Sequence, residues 1–268
     1  MNTARSADGT TIAFTRAGQG PALILVDGAL CSRSFGPMAK LAAQLRPRFT
    51  VYTYDRRGRG ESGDTAPYAP EREVEDLEAL VALAGDGEPV YVHGTSSGAA
   101  LALDAASRVP AIGKLALYEP PFIVDDTRSA IPEDYLARLT GLVAEGRRGD
   151  AVKMFMRFVG TPAIFTAMMP FTPVWSKLKA VAHTLPYDIS ITQGHQRGTP
   201  LSSQEWAAVK APTLVAAGGK SPAWMTNATR ALADALPDAT YRTLPGQTHI
   251  VKPGVIAPVL TEFFSAGS

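Results

Sequence analysis

Short apolar runs rich in Val, Ile, Leu and Tyr alternate along the chain with amphipathic stretches long enough to be helices. Residues 22–26, 50–54, 90–93, 115–118, 213–217 and 240–244 read as core strands, and 11–16 as an antiparallel edge strand before them. Between the strands, 37–46, 71–84, 97–108, 225–236 and 253–264 carry helical spacing, and Pro253 suits a first helical turn. This alternation predicts an α/β fold with a mostly parallel sheet covered on both faces. The acids of 71–78 share a helix with Val74, Leu77 and Val81, so they are expected on the wet face of an amphipathic helix.

The alternation stops between 121 and 210, where helical patterning at 135–145, 151–159 and 175–183, many prolines and few strand-like runs mark a helical insertion. The expected division is a core of 1–121 and 211–268 with an inserted cap of 122–210. Met154, Phe155, Met156, Phe158, Phe165, Met168, Met169, Phe171 and Trp175 suit an apolar lid over a pocket, because such side chains adapt to irregular apolar ligands. Packing the insertion onto the body is the plainer alternative, since core use is the base case.

Of the 268 residues 46% are hydrophobic and 19% charged, so the chain can bury enough apolar surface to exclude disorder as its main state. The 26 basic and 25 acidic residues leave a net charge of +1 with neither sign in a long block. No nucleic-acid or membrane partner is expected from that balance. The single cysteine, Cys31, cannot form an internal disulfide, and no Cys/His spacing suits zinc, which fits a reducing compartment. Residues 1–30 lack the signal-peptide pattern, and no window approaches ~18 uninterrupted apolar residues, so a cytoplasmic location is expected.

The strongest chemical signal is Gly94-Thr95-Ser96-Ser97-Gly98, set between the apolar run before it and the helix-forming Ala99-Ala100-Leu101 after it. A serine bracketed by glycines between strand and helix is the nucleophile-elbow pattern: the turn is too tight for side chains and lifts the hydroxyl above the sheet edge. Ser96 is therefore the candidate nucleophile, and the Ser97 N–H at the helix start is one candidate donor to an oxyanion.

Together with three further segments, this motif resembles the α/β-hydrolase superfamily, over nearly the whole chain. Leu25-Val26-Asp27-Gly28-Ala29 stands at the family's oxyanion turn, with Asp27 in place of the usual histidine. Tyr54-Asp55-Arg56-Arg57-Gly58-Arg59-Gly60-Glu61-Ser62 matches its Asp-x-Arg-Gly-x-Gly-x-Ser loop, and Gly246-Gln247-Thr248-His249 its late histidine loop. The resemblance implies an α/β-hydrolase fold: a mostly parallel eight-stranded sheet flanked by helices, with a helical cap after the sixth strand. It also implies the Ala29 N–H as the second oxyanion donor.

A serine hydroxyl needs a base near pH 7, and of four histidines only His249 follows the last strand in a short loop, as the order of this fold requires. His93, His183 and His195 read as structural, although the last two lie in the insertion and could touch a substrate. The acid departs from the family pattern. Most relatives carry Asp in a Gly-x-x-Asp-x-x-Trp setting after the strand at 213–217, where this chain reads Gly218-Gly219-Lys220-Ser221-Pro222-Ala223-Trp224. Glu119, directly after the strand ending at Tyr118, is the favoured substitute, and some superfamily members draw their acid from that place. Asp125, Asp126 or no acid at all are the alternatives.

Arg56, Arg57 and Arg59 either bind an anionic substrate or, the favoured reading, tie their loop to nearby acids and carbonyls. Tyr118 and Thr95 flank the expected site, and Cys31 reads as a small buried apolar residue near its mouth. These readings predict a serine esterase or lactonase for a small to medium, largely apolar molecule, with no metal or organic cofactor. A lyase or cyclase on the same fold, or a binding protein with a disabled triad, is the alternative. The sequence leaves a homo-oligomer open.

Overall fold

The computed structural model describes residues 2–266. Strands β1 (Asn2–Arg5), β2 (Thr11–Ala17), β3 (Ala22–Val26), β4 (Thr50–Tyr54), β5 (Val90–Thr95), β6 (Ile112–Tyr118), β7 (Thr213–Gly218) and β8 (Ala239–Leu244) form one sheet in the order β1-β2-β4-β3-β5-β6-β7-β8. The β1–β2 and β2–β4 pairings are antiparallel and all others parallel, so β3 to β8 end on one sheet edge.

Helices α1 (Met38–Leu45), α2 (Pro70–Gly85), α3 (Ser97–Arg108), α9 (Ala223–Ala235) and α10 (Pro253–Ser265) connect or follow the strands. Alternate residues of β3 serve opposite layers. Ile24 and Val26 pack with Val74, Leu77, Leu101 and Leu232 of α2, α3 and α9. Leu23 and Leu25 pack with Leu41, Leu45, Ile256 and Leu260 of α1 and α10. Burial on both faces is why these strands read as continuous apolar runs.

Between β6 and β7 lie α4 (Tyr135–Ala144), α5 (Arg148–Phe158), α6 (Ala163–Met168), α7 (Trp175–Val181) and α8 (Leu185–Thr192). They gather an apolar cluster of their own around Leu139, Val152, Leu178 and Leu185, joined by Leu30 from the loop after β3. Met154, Phe155, Met156, Phe158, Met169 and Trp175 pack against that cluster. Phe165, Met168 and Phe171 instead face outward, Phe171 being 87% exposed.

The sequence reading lacked β1, α6 and α8. Strand β1 carries Asn-Thr-Ala-Arg, with no apolar run to mark it, and is held as a strand only by its register against β2. Helix α8 opens on Leu185-Pro186, and that proline hid a helix in whose first turn it sits. Among the described residues no helix is long and apolar enough to cross a membrane.

Candidate active site

Ser96 sits between β5 and α3 with φ 54° and ψ −129°, a conformation that non-glycine residues rarely adopt. Backbone crowding imposes it. A Cβ at residue 94 would lie 2.4 Å from the Gly98 carbonyl oxygen, and one at residue 98 would lie 2.5 Å from the carbonyl oxygens of Val26 and Asp27. Only glycines let α3 start this close to β3 and β5. The Ser96 N–H donates to the Tyr118 carbonyl at 2.9 Å, which ties the turn to the end of β6. The hydroxyl itself is half-buried and has no hydrogen-bond partner among the described residues.

Glu119, the next residue after that carbonyl, is fully buried and also strained, with φ 46°. Its Oε1 accepts the Gly218 N–H at 2.7 Å, and its Oε2 pairs with His249 Nδ1 at 2.8 Å. Gly218 is the last residue of β7, so Glu119 reaches across the end of the neighbouring strand to a loop 130 residues further along the chain. Tyr118 helps to hold that loop, its hydroxyl donating to the Thr248 carbonyl at 2.6 Å. The Glu119 contact gives Nδ1 the proton of the neutral ring and leaves Nε2 as its acceptor.

The other acid positions do not reach the ring. Ser221 stands beside Gly218, its buried hydroxyl unpartnered. Asp125 accepts from Asn227 Nδ2 at 2.7 Å, and Asp126 is exposed. Ser96, Glu119 and His249 thus share one sheet edge, with the glutamate and histidine in contact and the serine joined to neither side chain.

The turn after β3 stands opposite Ser96: a Cβ added to Gly28 would lie 3.6 Å from Ser96 Oγ. Among the described residues neither the Ala29 nor the Ser97 N–H has an acceptor in the chain. Asp27 is buried and its Oδ1 accepts the Gly28 N–H at 3.0 Å. Burial outweighs this bond, the Cys31 thiol contact and the nearby Arg59 and Arg56, and pushes its pKa up to about 7. Burial likewise pushes the pKa of the half-buried Cys31 thiol up, which disfavours its thiolate.

Arg56, Arg57 and Arg59 are each at most 1% exposed and fully engaged with the protein. Arg56 meets Glu73 at 2.6 and 2.8 Å, and Arg57 meets Asp76 at 2.8 and 2.7 Å. Both Arg56 and Arg59 meet Asp188 of α8, which also accepts the Ser97 hydroxyl at 2.7 Å. Burial works against the charge on Arg56, but Glu73 and Asp188 hold it well above its ordinary value. Burial likewise works against ionised Asp188, but Arg59 and Arg56 hold it below the usual carboxylate range.

One expectation changes here, and one residue of the network was not anticipated. The acidic run of α2 is a solvated face only in part: Glu71 and Glu78 are exposed, but Glu73 and Asp76 are 2% and 1% exposed, because a buried guanidinium on the neighbouring loop needs a carboxylate. Asp188 was missed altogether. Its signal lay in the spacing of Leu185, Asp188, Ile189 and Thr192, which puts an acid on the buried stripe of a helix.

The remaining histidines stand apart from the Glu119 contact. His93 is buried, with Nδ1 3.0 Å from the Ala116 carbonyl, and burial lowers its pKa to about 4. His183 lies 4.0 Å from Asp64, and His195 packs between Phe122 and Trp206. Thr95 pairs with Tyr118 at the end of β5. Among the described residues no group of three or more His, Cys, Asp or Glu side chains gathers as a metal site.

Comparison with known proteins adds four findings. A family model described as "Alpha/beta hydrolase family" matches residues 22–257. Among solved structures, an alpha/beta hydrolase from Sphaerobacter thermophilus DSM 20745 is 51% identical with a TM-score of 0.89, over 98% of this chain and 100% of that one. An enol-lactonase from Burkholderia xenovorans LB400 is 22% identical with a TM-score of 0.70, over 98% and 100% of the two chains, a likeness of fold alone. Among curated proteins, the uncharacterized hydrolase YraK of Bacillus subtilis (strain 168) is 34% identical over 105 residues, so the chain matches 38% of that relative's length.

Proposed function

The chain belongs to the alpha/beta hydrolase family, and from that premise we propose that it is a serine hydrolase cleaving a carboxylic ester or lactone through an acyl-enzyme. Ser96 Oγ attacks the carbonyl carbon while His249 Nε2 takes its proton. Glu119 accepts a hydrogen bond from the Nδ1–H, holds the ring in the required tautomer and, staying ionised, stabilises the imidazolium. The Ala29 and Ser97 N–H groups bind the oxygen of the tetrahedral intermediate. Its collapse expels an alcohol protonated by the imidazolium. Water, deprotonated by His249, then releases the acid and restores Ser96.

The observation that carries this reading is the 2.8 Å pairing of Glu119 Oε2 with His249 Nδ1, on the sheet edge from which the strained Ser96 projects. A buried carboxyl reaching across a strand end to orient an imidazole matches the role this mechanism needs. The unjoined serine is compatible with it, because catalytic hydrogen bonds often tighten only with substrate bound. Residues 122–210 serve as a cap on the core of 1–121 and 211–268, and their apolar cluster takes in Leu30 and Ala29 of the turn after β3, which suits a small to medium, largely apolar substrate beside that turn.

A fluorophosphonate probe tests the reading. We expect stoichiometric labelling of Ser96 that disappears in Ser96→Ala and becomes slow in His249→Ala. Glu119→Gln should lower the kcat for p-nitrophenyl butyrate by about 10⁴, the cost of removing the acid's charge in a serine protease of another fold. Folded wild-type protein that is not labelled excludes the serine as nucleophile, and wild-type turnover by Glu119→Gln excludes the acid role.

A further inference from the structure

Asp188 belongs to α8 of the inserted helices, yet its carboxylate ends among the groups that shape the turn after β3 and the start of α3. It is 1% exposed and accepts from Ser97 Oγ at 2.7 Å, Arg56 Nη1 at 2.8 Å and Arg59 Nη2 at 2.9 and 2.8 Å. The same two guanidiniums continue into the turn. Arg59 Nη1 donates to the Gly28 carbonyl at 2.7 Å, and Arg56 Nη1 donates to the Asp27 carbonyl at 3.3 Å.

The Gly28 carbonyl and the Ala29 N–H belong to one planar trans peptide, so they point in opposite directions. Whatever fixes the carbonyl therefore aims the N–H. A charge-assisted bond to the carbonyl oxygen also polarises the peptide and makes its N–H a stronger donor. On the other side of the pocket, the Ser97 hydroxyl anchored to Asp188 belongs to the residue whose own N–H is the second donor.

We infer that Asp188 is a positioning residue for the oxyanion pocket: it orients the Gly28–Ala29 peptide through Arg59 and the first turn of α3 through Ser97, and so makes donor geometry depend on how the inserted helices are seated. The inference rests on the serine-hydrolase reading above. Asp188 touches no reacting atom and acts only through its partners. Loss of its charge leaves Arg59 without its carboxylate, free to turn from the Gly28 carbonyl. Movement of α8 would have the same effect.

Asp188→Asn keeps the side chain's size and removes its charge. The measurements are KM and kcat for p-nitrophenyl butyrate, with kcat expressed per site titrated to completion by a fluorophosphonate, together with the melting temperature. A positioning role predicts a kcat per titrated site lower by about 10- to 100-fold, less than the ~10²–10³ of deleting a donor outright, with KM within about twofold. Ser97→Ala should lower kcat in the same direction, and the double variant should lose less than the product of the two.

A purely structural role would lower the melting temperature and the number of titratable sites while kcat per site stayed at the wild-type value, and that result overturns the inference. If Asp188→Asn does not fold, Ser97→Ala decides, since it removes a single oxygen, and wild-type kcat in that variant overturns the inference too. Wild-type protein that neither turns over the ester nor takes up the phosphonate defeats the hydrolase reading and this inference with it. Labelled, active wild type with unchanged variants defeats the inference alone.

Discussion

Ser221 stands where the family usually has its acid and Glu119 at the end of another strand, and backbone geometry separates them. Glu119 holds a left-handed conformation that turns its carboxyl toward Gly218 and the histidine loop, whereas Ser221 keeps a buried, unpartnered hydroxyl beside the same glycine. The sequence offered Glu119 only through its place at a strand end; the turn that aims it is a property of the fold. Asp27 carries a second consequence. In the unfolded chain it releases its proton near its ordinary value of 3.8, while the folded protein keeps the proton up to about 7. Native protein therefore binds more protons between those values, so the folded state's advantage is complete below pH 3.8, declines as pH rises, and is lost above about 7. The loss is about 4 kcal/mol at most, at 1.36 kcal/mol per pH unit. Asp27→Asn keeps an acceptor for the Gly28 N–H, so thermal melts should show it gaining on wild type from pH 4 to pH 8. A difference in melting temperature that stays constant across that range would contradict the assignment.

Element by element, β3 to β7 and their helices were legible because both faces of the sheet are buried there, whereas β8, read as a core strand, is the edge strand and leaves most of Ala-Thr-Tyr-Arg-Thr-Leu exposed or half-buried. Helix α2 was legible as a helix and in its buried stripe of Val74, Leu77 and Val81, but Glu73 and Asp76 lie on the docking side as well, as partners of Arg56 and Arg57. A helical period cannot say which acid has a buried cation waiting. Glu73→Ala leaves the Arg56 guanidinium short of a carboxylate and should cost about 3–5 kcal/mol in denaturant unfolding. Glu78→Ala, on the exposed side of the same helix, should stay within about 0.5 kcal/mol. Equal effects from the two variants would restore the solvated-face reading.

Across the whole molecule, the inserted helices divide into an interior and an outward apolar side. Leu139, wholly buried in their cluster, should cost about 2–5 kcal/mol as Leu139→Ala. Phe171→Ser, at an 87% exposed position, should leave stability within about 0.5 kcal/mol. Chemical denaturation of both variants checks the division, and a large loss from Phe171→Ser would show that this side is covered. Sequence by itself determined the α/β class, the core strands, the helical insertion and the glycine-bracketed serine, because these rest on local patterns: which faces are apolar and where a side chain would collide. Tertiary structure alone decided which carboxyl meets His249, which acids are buried with the arginines, and that an aspartate from the insertion stands behind Ser97. Those pairings join residues as many as 132 positions apart, and burial with charge, rather than spacing along the chain, selects them.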